Sequence, residues 1–184
     1  MDMAKSSTDD DVLIGARPHP WAIDPAKTAV IVVDMQNDFG SAGGMFHRAG
    51  IDISQIQAAV APTARVLEAA RGAGIPIVFL KMAFSRDMAN AGGPEAPNLV
   101  RHRAMGVGEA VAAPDGRDSR ILIEDTWNTD IVDELAPLPG DIIVAKHRFS
   151  GFFETDLDAT LKALGVSSLI FTGCTTSVCV ESTL

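Results

Sequence analysis

Three side chains of different chemistry stand at the ends of apolar runs in this 184-residue sequence. Asp34 follows Thr28-Ala29-Val30-Ile31-Val32-Val33, and Lys146 closes Asp141-Ile142-Ile143-Val144-Ala145. A third run, Ser167-Ser168-Leu169-Ile170-Phe171-Thr172, leads into Gly173-Cys174-Thr175-Thr176-Ser177-Val178-Cys179. A carboxylate, an amine and a thiol together can carry out nucleophilic acyl transfer. Cys reacts as the thiolate, and a nearby cation or a helix N-terminus lowers its pKa. Cys179 opens a stretch, residues 179–184, that reads as a helix whose first N–H groups and dipole would face the sulfur. Asp34 is suited to accept the thiol proton and return it to a leaving group, and Lys146 to keep that carboxylate ionised. Backbone N–H groups of the loop would hold an oxyanion. Taken singly, each residue also has a plain structural use: a buried Cys as a small hydrophobe, an Asp as a turn former, a Lys as a solvated strand end. Their joint occurrence points to chemistry, whereas Cys174 reads as part of the turn.

The elements that must position these residues are four strands. The three runs above and Ile75-Pro76-Ile77-Val78-Phe79-Leu80-Lys81 are continuous and rich in β-branched residues, as in strands covered on both faces of a parallel sheet. Between them lie helical patterns. Ile53, Ile56, Val60, Ala64 and Leu67 recur at spacings of three and four before Gly72 and Gly74. Leu157, Leu161 and Leu164 repeat the pattern, with Thr155 as the capping candidate and Gly165 as the stop. Alternating strand and helix predicts an α/β fold, a three-layer αβα sandwich with a mostly parallel, Rossmann-like sheet. Ligands of such sheets bind outside the carboxyl ends of the strands, where Asp34, Lys146 and Cys179 would meet. Residues 1–25, with Pro18, Pro20 and Pro25, read as an N-terminal arm without regular structure, and 26–184 as one domain. The irregular stretch 83–125 reads as a lid or substrate loop.

Composition narrows the function classes. At 47% hydrophobic and 21% charged residues the chain can fill a core. Its net charge of −9 argues against sequence-independent nucleic-acid binding, which needs clustered positive charge. No apolar run approaches the ~18 residues of a membrane span, and the acidic start lacks the features of a signal peptide. Only two cysteines, five apart, suit a reduced, cytoplasmic protein. The last residues, Glu181-Ser182-Thr183-Leu184, contain no Gly or Pro to stop a helix, so the chain reads as cut inside an element.

Three motifs together resemble the isochorismatase-like cysteine hydrolases: Val32-Val33-Asp34-Met35-Gln36-Asn37-Asp38-Phe39, Lys146 with Ser150-Gly151-Phe152 and Thr155-Asp156-Leu157, and Thr172-Gly173-Cys174-Thr175-Thr176-Ser177-Val178-Cys179-Val180-Glu181-Ser182-Thr183. The likeness runs from Thr28 to Leu184. It implies Asp34 as general base, Lys146 as the second triad member and Cys179 as nucleophile, a cis peptide between Cys174 and Thr175, and an oxyanion hole of the Thr175 and Cys179 N–H groups. Within that family the chain is similar to ureidoacrylate amidohydrolases in Gly43-Gly44, Ala91-Gly92-Gly93-Pro94, Trp127, Pro139-Gly140-Asp141-Ile142 and Arg148-Phe149-Ser150-Gly151-Phe152-Phe153.

The resemblance implies a cysteine-dependent amidohydrolase that cleaves a C–N bond of a small ureido, carbamoyl or amide substrate through a thioester. Gln36, Phe39, Phe84, Asn90 and Trp127 are the expected substrate contacts, with Phe149 and Phe152 as further candidates for the wall. Met82, Phe84 and Asn90 stand where polar or large aromatic contacts and a carboxylate are expected, which favours a more apolar substrate. No metal or other cofactor is expected, because His19, His47, His102 and His147 are scattered and no Asp-x-His pair follows the first strand. Homo-oligomers are the family habit, and its sheet continues for about two strands beyond the nucleophile. Two other readings stay open from the sequence: an isochorismatase-type vinyl ether hydrolase, which has no need of Cys179, and a non-catalytic binding or oligomerisation fragment.

Overall fold

The computed structural model describes residues 11–184. In chain order the elements begin with a hairpin of β1 (Val12–Ile14) and β2 (Trp21–Ile23), then β3 (Thr28–Val33) and three helices, α1 (Asn37–Gly40), α2 (Met45–Arg48) and α3 (Ser54–Gly72). There follow β4 (Ile77–Met82), α4 (Pro97–Arg103) and a second hairpin of β5 (Ala110–Ala112) and β6 (Asp118–Arg120). The chain then forms β7 (Ile142–Lys146), α5 (Leu157–Ala163), β8 (Ser168–Gly173) and a π turn (Thr176–Val180). Strands β7, β4, β3 and β8 make one parallel sheet in that order.

All six residues of β3 are buried, because both faces of the strand are covered. Val30 and Val32 join Leu67 and Ala70 of α3 on one side. Ala29, Ile31 and Val33 join Leu157 and Leu161 of α5 on the other. A period of two with apolar residues at both phases therefore builds two cores, one above and one below the sheet. Pro62 lies inside α3 and forfeits one helical hydrogen bond, but it and Ala58 are exposed, so the freed carbonyl faces water. β7 is an edge strand: Val144 and Lys146 are buried while Ile143 is exposed. Beside β8 no further strand is paired among the described residues. No described helix is long and apolar enough to cross a membrane.

Two expectations change. Residues 12–23 of the arm form an antiparallel hairpin, with Val12 opposite Ile23 and Ile14 opposite Trp21, rather than an irregular strap. The prolines do not prevent it: Pro18 and Pro20 fall between the strands and Pro25 starts a 3₁₀ turn, where a missing N–H breaks no ladder. Residues 1–10 of the arm lie outside the described residues. The stretch 83–125 is not structureless either, since it contains α4 and the β5–β6 hairpin.

This stretch is fastened to the sheet through α1. Asp38, fully buried, accepts hydrogen bonds from the backbone N–H groups of Met45 (2.8 Å) and Leu122 (2.6 Å) and from the Asn128 side chain. Burial pushes its carboxyl up from 3.8 to about 6, outweighing the opposing pull of these three donors. The folded state therefore holds this proton more tightly than the unfolded chain, and the associated stability is present below about pH 4 and lost as pH rises through 6. Urea unfolding of wild type and Asp38→Asn between pH 4 and 7 checks this. The wild-type advantage over the variant should fall by up to about 3 kcal/mol across that range, and parallel pH profiles for the two proteins would contradict the assignment.

Candidate active site

Asp34 leaves β3 in a left-handed conformation (φ 52°) that an Asp tolerates better than most side chains. The turn is fixed on both sides. Its N–H donates to Leu80 O, its carbonyl accepts from Gln36 N–H (2.8 Å), and the Cys174 thiol donates to the same carbonyl at 3.3 Å. Two strands over from β3, β7 pairs Lys146 with Met82 at the end of β4. Lys146 Nζ then lies 2.8 Å from Asp34 Oδ2, with the pair 0% and 1% exposed. The ammonium also donates to Arg148 O (3.2 Å) and approaches Met82 Sδ at 3.8 Å. Neither carboxylate oxygen of Asp34 accepts a backbone or hydroxyl hydrogen bond, so Lys146 is its principal counter-charge.

The third group arrives on β8. Gly173 (φ +108°) pairs with Val33 so closely that a Cβ would stand 2.1 Å from Val33 O, and only glycine fits there. The chain then crosses the cis Cys174–Thr175 bond into the π turn that carries Cys179. This corrects the expected helix at 179–184: the helical turn begins three residues earlier, at Thr176, and Cys179 lies within it instead of at its N-terminus. Thr183 locks the turn, donating to Cys179 O (2.6 Å) while accepting from Gly151 N–H (3.0 Å).

The Cys179 thiol adjoins both Asp34 and Lys146. Burial first, and then the negative charge of Asp34, raise its pKa well above the ordinary range; Lys146 pulls the other way and is outweighed. The expectation of a depressed thiol pKa is thus reversed: the resting sulfur is protonated, with a carboxylate beside it. For Lys146 burial disfavours the charged form, yet the Asp34 carboxylate beside it prevails and holds the ammonium above its usual value. Cys174, buried next to the same carboxylate, is also raised well above its ordinary value, and its thiol is engaged with Asp34 O.

A cavity of about 240 Å³ opens onto Asp34, Cys174, Thr175 and Cys179. Its apolar wall consists of Phe39, Phe46, Ile51, Met105, Phe149 and Val178, and its other polar side chains are Arg101, His102 and Ser177. The Thr175 N–H donates to no backbone carbonyl. Of the expected substrate contacts, Phe39 lines this cavity and so does Phe149; Gln36, Phe84, Asn90 and Trp127 do not, and neither does Phe152, which is exposed.

Each absence has a physical cause. The Gln36 amide is buried and spent on the backbone of Met82, donating to its carbonyl (2.9 Å) and accepting from its N–H (2.8 Å). Asn90 Oδ1 accepts from the Ser85 N–H at 2.9 Å, the Trp127 ring lies beside Gly43, and Phe84 is fully buried behind His102. Met82 is fully buried beneath the ion pair, so none of the three positions that suggested a more apolar pocket borders it. The residues missed are Phe46, Ile51, Arg101, His102, Met105, Ser177 and Val178. Arg101, His102 and Met105 come from α4 and its C-terminal turn, within the stretch read as a substrate loop. Among the described residues no cluster of three or more His, Cys, Asp or Glu side chains could hold a metal ion.

With this geometry in view, comparisons with known proteins are informative. The Isochorismatase domain family model matches residues 28–184. A ureidoacrylate amidohydrolase RutB from Stutzerimonas stutzeri is 45% identical over 179 residues, covering 97% of this chain and 71% of that protein. The protein of the same name from Methylobacterium radiotolerans is 44% identical over 94% of this chain and 66% of its own length. Among solved structures, a cysteine hydrolase from Pseudomonas syringae pv. phaseolicola superposes with a TM-score of 0.70 at 31% identity, over 89% of this chain and 66% of that one. An N-carbamoylsarcosine amidase from Thermoplasma acidophilum gives 0.60 at 26% identity, over 85% and 73%. The chain thus spans about two thirds to three quarters of the length of these relatives. By the matched domain and these identities, the chain belongs to the isochorismatase family.

Proposed function

We propose that this chain is a cysteine-dependent amidohydrolase that cleaves a C–N bond of a small ureido, carbamoyl or amide compound, with ureidoacrylate as the leading candidate. The observation that carries the reading is the convergence of a buried Asp–Lys pair and the Cys179 thiol on one small cavity. The names of the ureidoacrylate amidohydrolase relatives support the substrate class.

In this mechanism the substrate carbonyl enters the cavity with its carbon facing Cys179 Sγ. The S–C bond forms as the thiol proton passes to Asp34, which Lys146 has kept ionised until then. The carbonyl oxygen, now an oxyanion, is received by the N–H groups of Thr175 and Cys179. Collapse breaks the C–N bond, and Asp34 returns its proton to the departing nitrogen. Water then attacks the thioester and gives a proton to Asp34, the C–S bond breaks, and that proton restores the thiol. The cycle consumes one water and needs no redox partner. A raised resting thiol pKa suits it, since sulfur deprotonates only as it attacks and no free thiolate is exposed to side reactions. The thiol also favours this reading over vinyl ether hydrolysis, which has no covalent step for it to perform.

Two measurements bear on the reading. With ureidoacrylate, Cys179→Ala should lose at least about 10³-fold in kcat, and mass spectrometry of acid-quenched wild type should reveal an acyl adduct on Cys179; full turnover by the variant rules out covalent catalysis. Lys146→Met leaves the Asp34 carboxylate buried without its cation and should cost about 3–5 kcal/mol in urea unfolding. Adding Asp34→Asn should recover part of that stability without restoring activity.

A further inference from the structure

Beyond Asp34 and the two cysteines, His102 is the only buried polar side chain lining the cavity among the described residues; Arg101 and Ser177 are exposed at its mouth. Its residue is 5% exposed, Nδ1 is shut off from solvent without a hydrogen-bond partner, and no described residue hydrogen-bonds the ring at either nitrogen. The ring cannot easily turn away. Phe84 meets it at 6.2 Å with planes at 60°, and Phe149 at 5.9 Å and 88°, so it is held edge-to-face between two aromatics. A buried polar group without a partner destabilises the free protein, and a phenyl or leucyl group would fill the same space without that cost. Burial above all, helped by the charges of Lys146 and Arg101, lowers the His102 pKa to about 4. At neutral pH the ring is therefore uncharged and offers one donor and one acceptor nitrogen.

We propose that His102 is a substrate-binding residue whose imidazole hydrogen-bonds a second polar group of the substrate, distal to the carbonyl attacked by Cys179. The assignment rests on the amidohydrolase reading and deepens it: the preferred substrates are small amides or ureas with a further hydrogen-bonding group, and simple alkyl amides are poor. Discrimination follows because an analogue without that group leaves the imidazole unpaired in an apolar wall.

The test uses the full chain with ureidoacrylate and butyramide as the paired substrates. His102→Phe, which preserves the aromatic packing, should lose about 10- to 100-fold in kcat/KM on ureidoacrylate, mostly through KM, and less than about threefold on butyramide. His102→Gln, which regains a donor and an acceptor, should recover part of the loss. Equal losses on the two substrates, or none on either, would overturn the assignment. A measurement that leaves His102 in place guards against misfolded variants: imidazole ¹⁵N resonances of Cys179→Ser are followed as ureidoacrylate is added. A shift of the His102 signals at saturation supports the contact, and unchanged signals with ligand bound refute it. A wild type that hydrolyses neither compound rejects ureidoacrylate as the substrate on which this assignment is built, whereas turnover indifferent to His102 rejects this assignment alone.

Discussion

Moving a carboxylate and an ammonium out of water costs several kcal/mol for each ion, and mutual attraction offsets this only when the geometry is close and the remaining donors find acceptors. The Asp34–Lys146 pair meets that condition at 2.8 Å, with Arg148 O taking a further ammonium proton. Most of the catalytic edge is arranged around this requirement. β3 and β7 are not neighbours, since β4 lies between them, so the two side chains must meet across the end of the middle strand. The pair therefore fixes how far each strand extends, and it sets a carboxylate beside the sulfur of Cys179.

The surrounding contacts keep that arrangement in place by short-range means. Gly173 lets β8 come against Val33, and Thr183 ties the π turn to the loop after β7. Asp34 itself sits in a backbone conformation uncommon for a side chain-bearing residue, held by hydrogen bonds on both sides of its peptide unit. The reacting groups thus come from three strand ends, while much of the cavity wall comes from α1, α2 and α4. Chemistry and recognition are built by different parts of the chain.

That division explains what was legible in the sequence. The four strands were readable because each leaves an unbroken apolar run, most strictly β3 and β4, which are buried on both faces. Asp34, Lys146 and Cys179 were readable because strand ends are where such folds place their ligands. The hairpin at 12–23 was hidden by prolines that fall outside its paired residues. His102, Arg101 and Met105 could not be singled out, since nothing in 97–105 encodes which face of a two-turn helix borders the cavity. Gln36 misled for a related reason: a polar side chain near a strand end looks available for substrate until its partner, Met82, 46 residues away, is seen. The Cys179 thiol is the sharpest case. Its neighbours in sequence suggest a lowered pKa, but the nearest charge that matters belongs to a residue 145 positions earlier.

The Gln36 carboxamide works as a surrogate strand residue, meeting the carbonyl and the N–H of Met82 as a neighbouring backbone would. It lengthens the β3–β4 ladder past the point where the main chain of β3 has turned away, so the sheet is closed at the level of the ion pair by a side chain. Only a carboxamide can do this. An ionised glutamate of the same shape would set an acceptor oxygen against the Met82 carbonyl in place of the donor, and a leucine would leave both peptide groups unpaired next to the buried charges. The rigidity of the catalytic floor at this edge thus depends on one amide that never touches the reacting atoms.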